Sequence, residues 1–297
     1  MKDCSAILLA AGSSRRLGFD KILTPLAGRP AFRHAYDVLV TCDEIAQIII
    51  VTREDLVEKF HQHLGGQDPG IPVQVVAGGK ERQDSVYAGL KVADTSNRMA
   101  LIHDAARPLI TAELVTQVLQ VARETGAAIC GRPCSDTLKR TEDQQTICET
   151  PDRSQYWQVE TPQVFERESI LKAYRQVIEN SWVITDDASA FERAGGTVSL
   201  VESAEVNLKI TKQSDWEVLQ LWLAQERGTK LRKLLHQISN EFTPLTGYLP
   251  FLKKYREVPE KFEDYHSQML DGTRQGVETL KEAQSEARTL FPDQNDG

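Results

Sequence analysis

The sequence predicts an α/β protein, with a Rossmann-like, mostly parallel sheet covered by helices on both faces and an α-helical hairpin at the end. Short, continuously apolar runs alternate with amphipathic segments along most of the chain, which is typical of strands buried on both faces. The first apolar run, Ala6–Ala11, closes on Gly12 and so indicates a buried strand that opens into a glycine turn. A chain of 297 residues can hold one large domain of this class and a smaller segment.

Strands and helices alternate in chain order up to residue 225. The apolar runs predict strands at residues 6–11, 46–51, 73–76, 99–103, 127–131, 197–201 and 207–210. The amphipathic segments predict helices at residues 31–40, 55–64, 83–92, 114–125, 170–178, 188–194 and 215–225. Between Pro133 and Glu160 the pattern breaks into polar segments with strand propensity. They predict a hairpin arm that leaves the sheet or, alternatively, a long surface loop.

A polar break at residues 226–230 separates this pattern from a tail of a different kind. From Leu231 to Leu252, apolar residues recur at alternating steps of four and three, which is typical of a coiled-coil seam. A second amphipathic helix is predicted over residues 262–290. We therefore assign residues 1–228 to the α/β domain, with an arm at about 133–160, and residues 229–297 to a helical hairpin. Its core is too thin to be stable alone, so we expect it to pair with another copy.

The composition excludes several classes of function. A formal net charge of -8 argues against general nucleic-acid binding. No apolar run is long enough to cross a membrane, and the chain enters its first strand too early for a signal peptide. The five cysteines are scattered, and Cys130 and Cys134 lack a second pair with zinc-ligand spacing. We therefore expect a cytoplasmic protein that binds neither nucleic acid nor membrane.

Five clusters of polar residues follow the predicted strands. They are residues 12–21, 78–85, 103–108, 185–189 and 207–211. Each cluster alone is also explained by helix capping or by surface cations. Because the carboxyl ends of parallel strands meet at one edge of a sheet, the five clusters are expected to converge on one cleft with many cations and few acids. Such a cleft suits a phosphate-rich substrate and a magnesium ion.

Seven motifs occur in the same order as in a known family. They are L-L-A-A-G-S-S-R-R, G-G-K-E-R-Q-D-S-V, I-H-D-A-A-R-P, D-T-L-K-R, T-P-Q-V-F, T-D-D-A-S and N-L-K-I-T. On these motifs, roughly the first three quarters of the chain resembles the 2-C-methyl-D-erythritol 4-phosphate cytidylyltransferases of the non-mevalonate isoprenoid pathway. Related ribitol- and ribulose-phosphate cytidylyltransferases tend to have other residues at Ala11, Ala106 and Ser189, which favours the methylerythritol enzymes.

The resemblance implies a reaction in which the phosphate of 2-C-methyl-D-erythritol 4-phosphate attacks the α-phosphorus of CTP and pyrophosphate leaves, with magnesium or another divalent cation as cofactor. The implied catalytic residues are Arg16, Lys21, Arg153 and Lys209. The implied CTP- and substrate-binding residues are Ala10, Ala11, Gly12, Gly79, Arg82, Ser85, Asp104, Arg107, Thr137 and Thr185, with Asp104 also the candidate magnesium ligand. The resemblance further implies a homodimer in which the arm of one subunit brings Thr137 and Arg153 to the active site of the other.

Other features leave alternatives open. Asp20 precedes Lys21 after a shortened loop, and its charge could partly neutralise the lysine. In the tail, H-Q-I-S-N-E-F-T-P-L-T-G-Y resembles the phospho-acceptor helix of histidine kinases, which makes His236 and Asn240 candidates for phosphotransfer with a partner protein. The alternative role of the tail is dimerisation alone. The alternative functions are a cytidylyltransferase for ribitol or ribulose 5-phosphate and a signalling or scaffold protein that is switched by the tail.

Overall fold

The computed structural model describes residues 2–12, 17–65 and 69–226, together with residues 229, 233, 237, 267–268, 270–271 and 273–283. The chain divides into two compact units. The first contains Met1–Thr24 and Pro30–Asp215, and the second contains Pro25–Arg29 and Trp216–Gly297. The first unit carries the sheet.

The elements alternate much as the hydrophobic pattern predicts. The strands are β1 (Cys4–Leu9), β2 (Pro25–Leu26), β3 (Arg29–Pro30), β4 (Ile45–Thr52), β5 (Val73–Ala77), β6 (Met99–Asp104), β7 (Ala127–Pro133), β8 (Arg140–Thr141), β9 (Ile147–Glu149), β10 (Trp157–Glu166) and β11 (Ser199–Glu202). The helices are α1 (Ala31–Thr41), α2 (Val57–Leu64), α3 (Arg82–Val92), α4 (Ala112–Thr125), α5 (Arg167–Glu179), α6 (Asp187–Arg193) and α7 (213–226).

Seven strands form one sheet in the order β11-β7-β10-β6-β1-β4-β5. β1 pairs in parallel with both β4 and β6, so that Leu9 lies opposite Val51 and Asp104. β10 is antiparallel to both β6 and β7, whereas β11 is parallel to β7 and β5 to β4. The carboxyl ends of six strands therefore meet at one edge of the sheet.

The helices begin and end where local chemistry allows. α4, for example, is capped by the Thr111 hydroxyl, which accepts the Leu114 N–H at 3.2 Å, and it stops at Gly126, whose φ is 89°. α3 packs against β1 and β4 so closely that a Cβ on Gly89 would lie 2.7 Å from Ile7 Cγ2. Every residue of β1 is buried, which explains its unbroken apolar run. The predicted α/β class with a mostly parallel sheet is confirmed.

The expectation for the arm was right in part. β8 and β9 form an exposed antiparallel hairpin with Arg140 opposite Glu149, as predicted. Residues 157–160, however, belong to β10 inside the main sheet, a strand that the hydrophobic pattern did not reveal. Pro162 explains why the pattern does not indicate a strand here, because proline has no N–H to donate to a neighbouring strand. The pairing of β10 with β7 also shifts register around this proline, between Val159 and Gln163.

The predicted strand at residues 207–210 was wrong, because these residues form a loop. Its backbone groups are satisfied by neighbouring loops and side chains instead of by a ladder. The Ile210 N–H donates to the Ala106 carbonyl at 2.8 Å, and the Asn207 carbonyl accepts Arg107 Nη1 at 2.6 Å. Ile210 is fully buried, and this burial produced the apolar pattern.

The second unit is described only in part. Residues 273–283 are helical, within the second helix predicted for the tail. The seam from Leu231 to Leu252, and with it His236 and Asn240, lies outside the described residues, so the hairpin and its role stay predictions. None of the described helices is long and apolar enough to span a membrane.

Candidate active site

A cavity of about 590 Å³ opens at the carboxyl edge of the sheet, beside the ends of β1 and β6. Among the described residues, its wall contains three lysines, one arginine and two acids. The described residues that line it are Leu9, Ala11, Gly12, Leu17, Lys21, Ile22, Gly79, Lys80, Glu81, Arg82, Ser85, Asp104, Ala106, Lys209 and Thr211. Four of the five clusters predicted from the sequence therefore meet here, and the fifth, at residues 185–189, reaches the cavity through Arg82.

The loop before α3 forms one wall of the cavity. A capping box closes the start of the helix, in which Glu81 and Asp84 each accept the other's backbone N–H. Gly79 lies so close to this box that a Cβ there would be 2.2 Å from Asp84 Cβ, so only glycine fits. Its N–H donates to Ser85 Oγ at 3.2 Å. Gly79 and Ser85 both line the cavity at the start of α3, where an anion is favoured.

Asp104 lies at the end of β6 and is contacted by two cations. Lys209 Nζ donates to Asp104 Oδ2 at 2.6 Å, and Arg82 Nε lies 3.4 Å from Oδ1. Burial by itself raises the pKa of this carboxyl, but Arg82 and Lys209 outweigh it and hold the pKa well below its usual range. Asp104 is therefore an anion at neutral pH.

Arg82 is also bound by Asp187, on the side of the guanidinium that faces away from the cavity. Its Nη1 and Nη2 donate to the two oxygens of Asp187 at 2.8 and 2.7 Å, and Tyr174 Oη donates to Asp187 Oδ1 at 2.5 Å. Burial lowers the pKa of Arg82, but Asp187 more than reverses this and raises it. Burial raises the pKa of Tyr174 well above its usual value, so its hydroxyl stays protonated and donates.

His103 fixes the turn that follows β6. The Arg107 carbonyl can only accept, so the imidazole proton lies on His103 Nε2, which donates to that carbonyl at 3.1 Å. His103 Nδ1 therefore accepts the hydroxyl proton of Thr161 at 3.0 Å, and Thr161 Oγ1 in turn accepts the Asp104 N–H at 3.1 Å. Burial lowers the pKa of His103 to about 4, and the ring is therefore neutral at physiological pH. Both ends of the Asp104–Arg107 turn are held by this hydrogen-bond chain.

The loop at residues 207–211 is held from three sides. Arg107 binds the Asn207 carbonyl, Lys21 Nζ donates to the Ile210 carbonyl at 2.6 Å, and the Asp215 carboxylate accepts both the N–H and the hydroxyl of Thr211. These contacts fix the backbone on both sides of Lys209. They also bring the lysine of the first loop and the lysine of the last loop to the same cavity.

Asp20 stabilises the turn that carries Lys21. Its Oδ1 accepts the N–H groups of Ile22 and Leu23 at 3.0 and 3.3 Å, and its Oδ2 lies 3.8 Å from Arg53 Nη2. A carboxylate in this position caps the turn. Asp20 therefore has a structural role in the turn that carries Lys21.

The donor set at Asp104 fits a magnesium ion that is carried mainly by a nucleotide. Among the described residues, no group of three or more His, Cys, Asp or Glu side chains could hold a metal ion by itself. Mg²⁺ is commonly bound by one or two carboxylates together with substrate phosphates. The two oxygens of Asp104 offer about four lone-pair positions, so one carboxylate can accept two cationic side chains and also ligate a metal.

The structure places some of the predicted site residues elsewhere. Within the described ranges, Ala10, Arg107, Thr137, Arg153 and Thr185 are not part of the cavity wall. Ala10 is buried and donates its N–H to the Val51 carbonyl at 2.7 Å, and Arg107 supports the 207–211 loop. Thr185 is exposed at the start of α6, and Thr137 and Arg153 are exposed on the arm, where Arg153 donates to the Ser135 carbonyl. Arg16 lies outside the described residues.

Sequence reasoning missed the residues that support this wall from behind. Asp187 lies in the motif T-D-D-A-S, from which the resemblance implies a role for Thr185 alone. Glu160 is buried and lies 3.0 Å from Arg132 Nη2 and 4.0 Å from Arg107 Nη1, and an acid at that point had no local signal. Tyr174 has the pattern of an ordinary core residue of α5 and gave no signal either.

A mostly parallel α/β sheet, with a cation-lined cavity at its carboxyl edge and a glycine-containing loop after its first strand, defines an enzyme of the nucleotide-binding class that acts on phosphates. Residues 4–225 match the family model of IspD, 2-C-methyl-D-erythritol 4-phosphate cytidylyltransferase. The chain belongs to this family. The family match ends at residue 225, before the tail.

Individual relatives and solved structures agree with this assignment. The chain is 38% identical over 229 residues to the 2-C-methyl-D-erythritol 4-phosphate cytidylyltransferase of Caldanaerobacter subterraneus subsp. tengcongensis, a match that covers 74% of this chain and 98% of the relative. The enzyme of the same name from Symbiobacterium thermophilum is 38% identical over 224 residues, covering 75% and 93%. The crystal structure of 4-diphosphocytidyl-2C-methyl-D-erythritol synthase from Anaerococcus prevotii superposes with a TM-score of 0.67 at 29% identity, covering 75% and 98%.

Proposed function

We propose that this protein transfers a cytidylyl group from CTP to 2-C-methyl-D-erythritol 4-phosphate, forming 4-diphosphocytidyl-2-C-methyl-D-erythritol and pyrophosphate. The observation that carries the proposal is the cavity itself. The cations that line it are Lys21, Lys80, Arg82 and Lys209, and they are joined by Ala11 and Gly12 after β1 and by Gly79 after β5. Membership of the IspD family identifies the nucleotide and the sugar phosphate, and with them a role in isoprenoid precursor synthesis.

The reaction needs positioning and charge stabilisation more than proton transfer. An oxygen of the sugar phosphate attacks the α-phosphorus of CTP, the new P–O bond forms, and the bond to the β-phosphate breaks as pyrophosphate leaves. Because the nucleophile is already an anion, no general base is required. Lys21, together with Arg16, is assigned to the charge that builds up on the α-phosphate and the leaving group. Lys209 is assigned to the sugar phosphate.

The neighbouring groups hold these cations in place. Lys21 donates one of its three N–H groups to Ile210, and Lys209 is bound to Asp104. Ala11, Gly12, Gly79 and Ser85 are assigned to the nucleotide, since their backbone and hydroxyl groups can distinguish an amino group from a carbonyl on a pyrimidine edge. A divalent cation ligated by Asp104 and the triphosphate would, when bound, offset the negative charge of the phosphates.

The sugar-phosphate side of the site is assigned in part to a second subunit of a homodimer. Thr137 and Arg153 are exposed on the arm and lie away from the cavity of their own chain. The arm and the start of β10 also expose apolar side chains that a partner would cover: Ile147 and Tyr156 of the arm are 58% and 46% exposed, and Val159 of β10 is 41% exposed. We assign the enzyme to the cytoplasm, with no nucleic-acid or membrane partner.

Release of pyrophosphate tests the function directly. The full chain is incubated with CTP, Mg²⁺ and either 2-C-methyl-D-erythritol 4-phosphate, ribitol 5-phosphate or D-ribulose 5-phosphate, and a parallel series replaces CTP with UTP. We expect turnover with CTP and the methylerythritol substrate and little with the other combinations. Equal or faster turnover with a pentose or pentitol phosphate would refute the substrate assignment.

A further inference from the structure

A buried carboxylate lies behind the cavity wall, at the start of α6. Asp187 is 0% exposed and accepts three hydrogen bonds, two from Arg82 and one from Tyr174. The two parallel bonds from Nη1 and Nη2 fix the plane of the guanidinium as well as its position. The bond from Tyr174, which is itself fully buried, fixes the carboxylate in turn.

The other edge of the same guanidinium faces the active site. Arg82 Nε and Nη2 lie 3.4 and 3.5 Å from Asp104 Oδ1, whereas the bonds to Asp187 are 2.8 and 2.7 Å. The shorter pair shows which carboxylate holds the arginine. Arg82 is anchored by Asp187 and, from that anchor, contacts Asp104, whose other oxygen binds Lys209.

The turn that carries Asp187 is tied to the sheet. Gln163 of β10 accepts the Ala188 N–H at 3.0 Å and donates to Asp186 Oδ2 at 3.0 Å. Asp186 Oδ1 caps the helix by accepting the Ser189 N–H at 2.9 Å. The anchor is thus part of a rigid frame that runs from β10 through α6 to the cavity wall.

Stability alone does not account for this arrangement. Taking a carboxylate and a guanidinium out of water is costly, and well-packed apolar residues in such positions often give equal or greater stability. What the ion pair does provide is orientation: one arginine is fixed between a carboxylate outside the cavity and a carboxylate on its wall.

We propose that Asp187 is a positioning residue of this active site. It orients Arg82, and through Arg82 it sets the Asp104 carboxylate against Lys209. Asp187 is thus given a role in an active site whose substrates it does not contact. The proposal depends on the proposed function only in those experiments that measure turnover.

A double-mutant cycle tests whether Asp187 acts through Arg82. The variants are Asp187→Asn, which keeps the side-chain shape but removes the charge, Arg82→Lys, which cannot form the paired bonds, and the double variant. We expect Asp187→Asn to lower kcat about ten- to a hundredfold, on the scale of a small misplacement of reacting groups. In the double variant, the loss should stay within about threefold of that of Arg82→Lys alone, because the two residues act as one unit.

Two further variants separate positioning from general damage. Glu192→Gln is the matched control, since it makes the same acid-to-amide exchange at an exposed position of α6, so kcat should stay within about threefold of the parent. Tyr174→Phe removes one of the three bonds to Asp187 and should lower kcat by about three- to tenfold. Thermal unfolding of every variant shows that the folded state is intact. If Asp187→Asn does not fold, the cycle is run with Tyr174→Phe and Arg82→Lys instead.

Two results would overturn the proposal. One is a kcat for Asp187→Asn within about twofold of the parent, and the other is a double variant whose loss equals the product of the two single losses. If the parent protein releases no pyrophosphate with any substrate, the proposed function fails by itself. The same cycle is then measured on the dissociation constant for CTP, where independent effects would again refute the positioning role.

Discussion

His103 should make the folded state less stable in mild acid. Above pH 6.5 its imidazole is neutral in the folded and the unfolded chain, so it adds no pH dependence. Between pH 6.5 and the folded-state pKa of about 4, the imidazole of His103 binds a proton in the unfolded chain but not in the folded chain. The free energy of unfolding therefore falls as the pH is lowered through this range. Each pH unit in this window costs about 1.4 kcal/mol, so acidification from about pH 7.5 to about pH 5 should remove about 2 kcal/mol through this one side chain.

The assay is urea denaturation at fixed protein concentration, at both pH values, for the parent and for His103→Gln. Glutamine can still donate to the Arg107 carbonyl but does not titrate, so the parent should lose about 2 kcal/mol more than the variant on acidification. His61→Gln, the same exchange at an exposed position of α2, is measured alongside as the control. An equal loss for the parent and His103→Gln would contradict the argument that burial keeps this imidazole neutral in the folded state.

Three other outcomes are expected. Lys21→Ala and Arg16→Ala should each lower kcat by about two to three orders of magnitude, the scale of losing one charge-stabilising donor; a nearly unchanged Lys21→Ala would move that role to another cation. An inactive Arg153→Ala protein mixed with an inactive Arg16→Ala protein should regain activity after subunit exchange, since one of the two sites in a mixed dimer then has both residues; no recovery would place Arg153 in its own subunit's site or in neither. Deletion of residues 231–297 should weaken self-association in analytical ultracentrifugation, while His236→Ala should leave assembly and turnover unchanged; phosphate on His236 that alters CTP turnover would instead support a switch.

The central part of the fold could be predicted because its signals are local. β1, β4 and β6 are buried on both faces, so each contains a short run of consecutive apolar residues. β10 could not be found in this way. Its first half mixes polar and apolar residues, Pro162 begins its second half, and its place between β6 and β7 depends on partners that are distant in the chain. The prediction of a strand at residues 207–210 was wrong for the opposite reason. This loop is partly buried, so its sequence has the apolar pattern of a strand although it pairs with none.

The sequence predicted those parts of the site that follow from the topology of the sheet. The rule that ligands bind at the carboxyl edge of a parallel sheet was enough to bring Gly12, Lys21, Gly79 and Asp104 together. The rule could not predict that Arg82 pairs with Asp187, because 105 residues separate them and nothing in the sequence near either residue indicates the other. Supporting residues of this kind are defined by three-dimensional packing and carry no spacing of their own.

The base of the arm is closed by the sheet itself. β7 and β10 remain paired out to Pro133 and Trp157, and one residue further the Cys134 N–H donates to the Tyr156 carbonyl at 2.9 Å. Beyond this clamp the β8–β9 hairpin has its own ladder and its own Arg140–Glu149 ion pair at 2.8 Å. Insertions or deletions at the hairpin tip therefore change how far the arm extends, while the register of β10 stays the same. Evolution can adjust the length of the arm to a different neighbouring molecule without disturbing the catalytic edge of its own sheet.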